Sequence, residues 1–209
     1  MNTDNRIFID IETIPSLEMP KLEEIKAPGN YSKPEAILKY QKENQVELWK
    51  KQALNSMQGQ IICIGYAHDG EASTILMDNE RDTIELFYFR IKEISDRIKE
   101  IIHFVGWNIT SFDIPWLWRK AIQHDLRDLR KMIPHGNRLL QTDLMKVFAS
   151  DYKDYVSLDS CAKFLNIKHE GGSGSDVFDW WQEGNIDAIR AHCESDVRTT
   201  MDIYERING

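Results

Sequence analysis

The sequence predicts an α/β fold, a mixed central sheet flanked by helices. Three observations lead there. Short apolar, β-branched runs alternate with segments whose apolar residues recur at three- and four-residue steps. A turn signal, Asp69-Gly70, directly follows one of the strand-like runs, so an antiparallel hairpin lies near the start. The rest of the chain mixes strands with helices, so the sheet is only partly antiparallel.

The elements follow in order. Arg6 to Ile11 (RIFIDI) reads as the first strand. Residues 16–57 form a long connection. Its first half, with Pro20, Pro28 and Gly29, is loop-like. Its second half reads as a helix, with Ser32 and Glu35 at capping-box spacing and Pro34 in the first turn. Seven lysines and six glutamates nearly cancel there, as on a solvated surface layer. Gln60 to Ala67 (QIICIGYA) is a nearly continuous apolar run, expected of a strand covered on both faces. Ala72 to Met77 is the returning strand of the hairpin. Asn79 is placed to cap a helix with the stripe Ile84, Phe87, Ile91, Ile94, Ile98 and Ile101. His103 to Trp107 reads as a strand, Ser111 to His124 as a helix interrupted early by Pro115, and Leu139 to Asp143 as a short strand. Ser157 to Leu165 reads as a helix and Gly171 to Gly174 as a flexible loop. Asn185 caps the last helix, whose stripe is Ile186, Ile189, Cys193, Val197, Thr200 and Tyr204.

The 209 residues suit one domain, 1–209, with a partly helical insertion at about 16–57. Hydrophobic residues at 42% and charged residues at 29% are ordinary for a globular protein. No apolar run reaches the roughly 18 residues of a membrane-spanning helix. The N-terminus MNTDNRIFIDIE lacks a basic region followed by an apolar stretch. Three scattered cysteines, Cys63, Cys161 and Cys193, form no disulfide framework or zinc motif. A reduced, cytoplasmic protein without a membrane partner is therefore expected. The net charge of −8 argues against holding nucleic acid by bulk charge alone, but not against a nuclease that recruits cations locally.

Three constellations can carry chemistry. In Asp10-Ile11-Glu12, residues two apart on a strand share a face. Two carboxylates at the end of an apolar strand repel each other unless a cation sits between them, and oxygen ligands suit Mg²⁺ or Mn²⁺. The alternative is a solvent-facing strand end. Asp113 follows a strand at the start of a helix, where it either caps that helix or projects toward the strand ends where ligands collect. His192 and Asp196 share a helix face at i and i+4, either as a surface pair or as an imidazole beside a metal-binding carboxylate.

Taken together, these motifs resemble those of the DEDD (DnaQ-like, ribonuclease H-like fold) 3′–5′ exonucleases: Asp-x-Glu on the first strand, Asn108-x₄-Asp113 mid-chain and a late helical Asp196. Closer still, the chain resembles the stand-alone exonucleases related to the proofreading domain of family B DNA polymerases. Gln58 to Gly65, Thr142 to Met145 and Gly174-Ser175-Asp176-Val177 through His192-Cys193-Glu194-Ser195-Asp196-Val197 carry that likeness. It is weakest over residues 16–57 and 119–138. One departure stands out: the family's third motif is Tyr-x₃-Asp or His-x₄-Asp, whereas here it is His192-x₃-Asp196, a histidine at the tyrosine spacing.

The resemblance implies a ribonuclease H-like fold and phosphodiester hydrolysis with two divalent cations, Mg²⁺ or Mn²⁺, at 3′ ends of single-stranded DNA or RNA, with DNA favoured. It implies Asp10, Glu12, Asp113 and Asp196 as metal ligands, with Asp10 bridging. It implies that His192 orients or deprotonates water. It also suggests that Thr13 binds the terminal nucleotide through its backbone N–H. Asn108 reaches substrate or holds the turn before the helix, the turn role being favoured. Asp143 is either a partner behind the ligands or a surface loop acid. Of Trp107, Phe112, Trp116, Trp118, Trp180 and Trp181, most are expected in the core and one or two on substrate, Phe112 among them. Residues 119–138 carry a net +4, leaving −12 elsewhere, and form either a basic face for a phosphate backbone or an ordinary solvated helix face.

Two other classes remain. One is a catalytically inactive nucleic-acid-binding or interaction domain on the same fold. The other is a cysteine hydrolase on Cys193 and His192, disfavoured because adjacent helical residues point about 100° apart.

Overall fold

The computed structural model describes residues 4–170 and 172–209. Its centre is a five-stranded sheet. The strands are β1 (Arg6–Ile14), β2 (Gln60–His68), β3 (Glu71–Ile75), β4 (His103–Gly106) and β5 (Gln141–Asp143). Their spatial order is β3-β2-β1-β4-β5. The pair β1–β2 and the hairpin β2–β3 are antiparallel, while β1–β4 and β4–β5 are parallel. This is the mixed sheet of the ribonuclease H-like fold.

Among the described residues the α-helices are α1 (Pro34–Lys50), α2 (Glu80–Ile98), α3 (Asp113–Gln123), α4 (Arg127–Met132), α5 (Leu144–Phe148), α6 (Leu158–Phe164), α7 (Val177–Glu183) and α8 (Ile186–Asn208). Among the described residues no helix is long and apolar enough to cross a membrane.

Side-chain alternation on β1 decides what each face holds. Ile7, Ile9 and Ile11 point into a core shared with Ile84, Phe87 and Ile91 of α2 and with Ile114 and Leu117 of α3. Phe8 points to the opposite face, against Val197 and Ile203 of α8. Asp10 and Glu12 share that second face by the same period of two, so two carboxylates meet α8. The register slips between Glu12 and Thr13, a bulge at the second carboxylate that re-aims the strand end.

Several local expectations are corrected. Helix α1 starts at Pro34 with Lys33 as N-cap and no side-chain cap, so Ser32 caps nothing. Proline fixes its own φ for the first helical position and holds the residue before it extended. Asn79 does cap α2, accepting from the Asp82 amide at 2.9 Å. That helix stops at Ile98 because Lys99 turns left-handed at φ 58°, and Ile101 is left outside it and exposed. Pro115 does not interrupt α3. It is the third helical residue, in the turn whose amides have no intrahelical partner. Asn185 caps α8 as expected, and Ser157, read as the first residue of its helix, is the N-cap of α6. Gly171, the first residue of the expected glycine loop, lies outside the described residues.

The basic stretch 119–138 does not form a continuous face. Lys120 is 2% exposed, donates to the Gly59 carbonyl at 2.6 Å and pairs with buried Glu80 at 3.3 Å. Arg119 donates to Ser56, Arg127 pairs with Asp125, and Lys131 with Asp128.

Candidate active site

All eight residues singled out in the sequence line one cleft of about 250 Å³: Asp10, Glu12, Thr13, Asn108, Phe112, Asp113, His192 and Asp196. Three elements deliver the acids. β1 supplies Asp10 and Glu12, the first turn of α3 supplies Asp113, and α8 supplies Asp196.

Asp113 is placed by the sheet. The parallel β1–β4 pairing ends at Phe8 and Val105, so the β1 amides beyond it have no β4 partner. Asp113 Oδ1 accepts one of them, from Ile11 N at 3.0 Å. It therefore does not cap its own helix, whose N-cap is Phe112 with no side-chain bond.

The turn that leads there is tightly specified. A Cβ on Gly106 would stand 2.0 Å from Ile109 Cγ2 and 2.8 Å from the Ile9 carbonyl. Asn108 follows at φ 60°, a conformation asparagine tolerates better than most residues. Asp143 is buried and ties the turn together. It accepts from Asn108 N at 3.0 Å, Thr110 N at 3.2 Å and Thr110 Oγ1 at 2.5 Å. Asn108 thus has the turn role, and Asp143 is no surface loop acid.

Helix α8 reaches the carboxylates because β2 has a glycine beneath it. A Cβ on Gly65 would stand 2.8 Å from Val197 Cγ2 and 2.9 Å from Cys193 Sγ. His192 is buried rather than a surface residue. Its Nε2 lies 3.4 Å from Glu12 Oε1, and its Nδ1 lies 3.6 Å from Asp196 Oδ1 without a hydrogen-bond partner. Trp180 packs edge-on against the ring, at 5.7 Å between centroids. Cys193, fully buried, has its sulfur 3.7 Å from Asp10 Oδ2.

Sequence reasoning missed His169. It lies on the loop between α6 and α7, 27 residues before Asp196, and its Nε2 stands 2.9 Å from Asp196 Oδ1. Its Nδ1 faces Asp159 at 3.4 Å. Nothing local in the sequence marks it. Of the six aromatics only Trp116 is buried in the core; Trp118, stacked on His135, and Trp180 and Trp181 pack against the core half-buried, and Trp107 and Phe112 line the cleft. Thr13 Oγ1 donates to the Ala53 carbonyl at 2.6 Å, which ties the strand end to the connection after α1.

The electrostatics are those of an acid cluster without countercharge. Burial raises the Asp10 and Glu12 carboxyls well above the usual range; repulsion from Asp196 and Asp113 adds to it in both, and repulsion from Glu12 in Asp10. Asp113 is pushed up to about 7, again chiefly by burial, against the pull of its backbone hydrogen bonds. Asp10, Glu12 and Cys193 can each bring one donor atom within 4.8 Å of the others. Crowded, desolvated carboxylates with an unpartnered imidazole nitrogen are what a cation would relieve, so the donor set fits divalent metal ions.

Residues 59–209 match the family model described as a predicted 3'-5' exonuclease related to the exonuclease domain of PolB. The chain belongs to that family. Among solved structures, this chain is similar to the family B DNA polymerase of the hyperthermophilic archaeon Pyrobaculum calidifontis. The TM-score is 0.58 at 16% identity, over 97% of this chain and 24% of the polymerase. The chain thus spans about a quarter of that polymerase, and at this identity the likeness speaks for the fold alone. No curated protein matches it.

Proposed function

We propose that this chain is a metal-dependent 3′–5′ exonuclease that releases nucleotides from the 3′ end of single-stranded nucleic acid, with DNA as the favoured substrate. The observation that carries this reading is the meeting of Asp10, Glu12, Asp113 and Asp196 in one cleft that also holds His192. Two divalent cations, Mg²⁺ or Mn²⁺, would supply an activated water and charge stabilisation on the attacking and leaving oxygens.

Asp10 would bridge the two ions, with Glu12, Asp113 and Asp196 completing their ligand shell. His192 offers its unpartnered Nδ1 to orient the attacking water or accept its proton. Trp180 and the neighbouring carboxylates hold that ring in place. Phe112 and Asn108 lie where the terminal nucleotide enters, and Thr13 offers its backbone there.

The test is a gel assay on 5′-labelled DNA and RNA oligonucleotides with Mg²⁺, Mn²⁺ or EDTA. The expected result is laddering from the 3′ end that EDTA abolishes and Asp10→Ala removes. Strand binding without shortening under any metal would support an inactive binding domain instead.

A further inference from the structure

The carboxylate cleft has a larger neighbour. A groove of about 780 Å³ lies on the other side of the 108–114 turn, with Thr110 and Asp143 in its wall. Asp143 joins the two spaces, because it accepts from Asn108 of the cleft and from Thr110 of the groove. Where the cleft is walled by acids, the groove has Arg138 and Lys146 on its rim, with Tyr155 beside them.

The charges there are unequal in their commitments. Asp143 is buried and already takes three hydrogen bonds, and Lys146 Nζ balances it at 3.4 Å while also donating to Thr110 and Ser111. Arg138 is exposed and forms no ion pair among the described residues. The groove therefore presents a free guanidinium, and the Tyr155 ring is 41% exposed. A cation that tracks phosphate beside an aromatic face is the chemistry of single-strand binding. Arg138 is also the member of the basic stretch 119–138 that faces this groove.

We propose that the groove holds the substrate strand on the 5′ side of its last two nucleotides, with Arg138 on a backbone phosphate and Tyr155 against a base. This rests on the exonuclease reading of the adjoining cleft. The groove then sets substrate length preference, and the cleft sets chemistry. A dinucleotide occupies the cleft alone, whereas a twelve-nucleotide strand reaches both.

The test compares the intact protein with Arg138→Gln and Tyr155→Ala on 5′-labelled DNA of 2 and 12 nucleotides, across a range of salt. Both side chains are exposed and outside the core, and melting curves check that each variant folds. The expected result is a KM on the 12-mer raised about 5- to 10-fold in each variant, one lost phosphate or stacking contact being worth on the order of 1 kcal/mol. The kcat is expected to be unchanged, as is the KM on the dinucleotide. For Arg138→Gln the dependence of log KM on log salt should flatten by about 0.7. Equal effects on both lengths, or none on either, would overturn the groove while leaving the exonuclease reading intact. A wild-type protein that cleaves neither substrate would overturn that reading and the groove with it.

Discussion

His169 Nε2 lies 2.9 Å from Asp196 Oδ1, and the two residues come from different elements. Asp196 is on α8, whereas His169 is on the loop after α6. A carboxylate only accepts hydrogen bonds, so the histidine donates, and its other nitrogen faces Asp159 at 3.4 Å. The contact restrains the Asp196 carboxylate from outside its own helix, while His192 flanks it from the same helix at 3.6 Å.

A partner behind a metal-binding carboxylate is worth about 10- to 100-fold in metal affinity or activity. His169→Ala is therefore expected to weaken Mn²⁺ binding and lower kcat within that range, with KM for the strand little changed. His169→Gln, which keeps a neutral donor, should recover part of the loss. Mn²⁺ titration by electron paramagnetic resonance and steady-state kinetics measure both, and full metal affinity in His169→Ala would show that the contact is only structural.

The acid cluster trades stability for its chemistry. Asp10 is driven toward its neutral form by burial and by its acidic neighbours. Asp10→Asn removes that repulsion and should melt higher than the wild type in EDTA, by roughly 2–4 °C for each kcal/mol relieved. The same variant should lose activity by on the order of 10²–10³-fold, the usual cost of removing one charge-stabilising group. An Asp10→Asn that melts lower than the wild type without metal would contradict the electrostatic account.

The pH dependence has a definite sign. Asp113 is raised in the folded protein from 3.8 to about 7, so the folded state binds its proton more tightly than the unfolded chain does. The stability this contributes is complete below the unfolded value and is lost as pH rises through about 7. Urea midpoints measured in EDTA should therefore fall between pH 5 and pH 8, and saturating Mg²⁺ should restore the loss at the upper end. A midpoint that climbs over this interval without metal would rule it out.

Lys120 and Glu80 form a buried pair, with Glu80 also accepting from Ile61 N at 2.7 Å and facing His124 at 2.7 Å. Lys120→Met leaves the glutamate without its buried ammonium partner and should cost about 3–5 kcal/mol of unfolding free energy. Adding Glu80→Gln should return part of that loss, read as coupling in a double-mutant cycle from urea denaturation. Additive losses would mean that the two charges do not support each other.

Gly65 permits α8 to approach β2, and Gly65→Ala would set a methyl group against Cys193 and Val197. Overpacking of this kind costs about 1–3 kcal/mol. Because the strain falls one turn from Asp196, activity should drop together with the denaturation midpoint. A variant of unchanged stability would mean that the helix yields freely.

The faces that the candidate site residues occupy were legible because their placement is local. Asp10 and Glu12 share a face by strand alternation, His192 and Asp196 by helical pitch, and Asp113 by following a strand into a helix. The hairpin, the caps at Asn79 and Asn185, and most of the apolar stripes were legible for the same reason. Three of the four short helices were not: α4, α5 and α7 span only 6, 5 and 7 residues, too few for a period to show, whereas α6, also of 7, was read as a helix. Nor was the fate of the basic stretch, since Lys120 and Arg119 find Gly59 and Ser56 about sixty residues away.

The sequence by itself determined which residue types could hold cations and which face of each element they occupy, because alternation and helical pitch are properties of the backbone alone. Only the tertiary structure decided that four acids from three elements converge in one cleft. It also placed His169 behind Asp196 and Cys193 beside Asp10, and it set a groove with a free arginine next to the carboxylates. Those relationships depend on how α8 and the 108–114 turn settle onto the sheet, and that is fixed by long-range packing around Gly65, Gly106 and Asp143 rather than by any pattern along the chain.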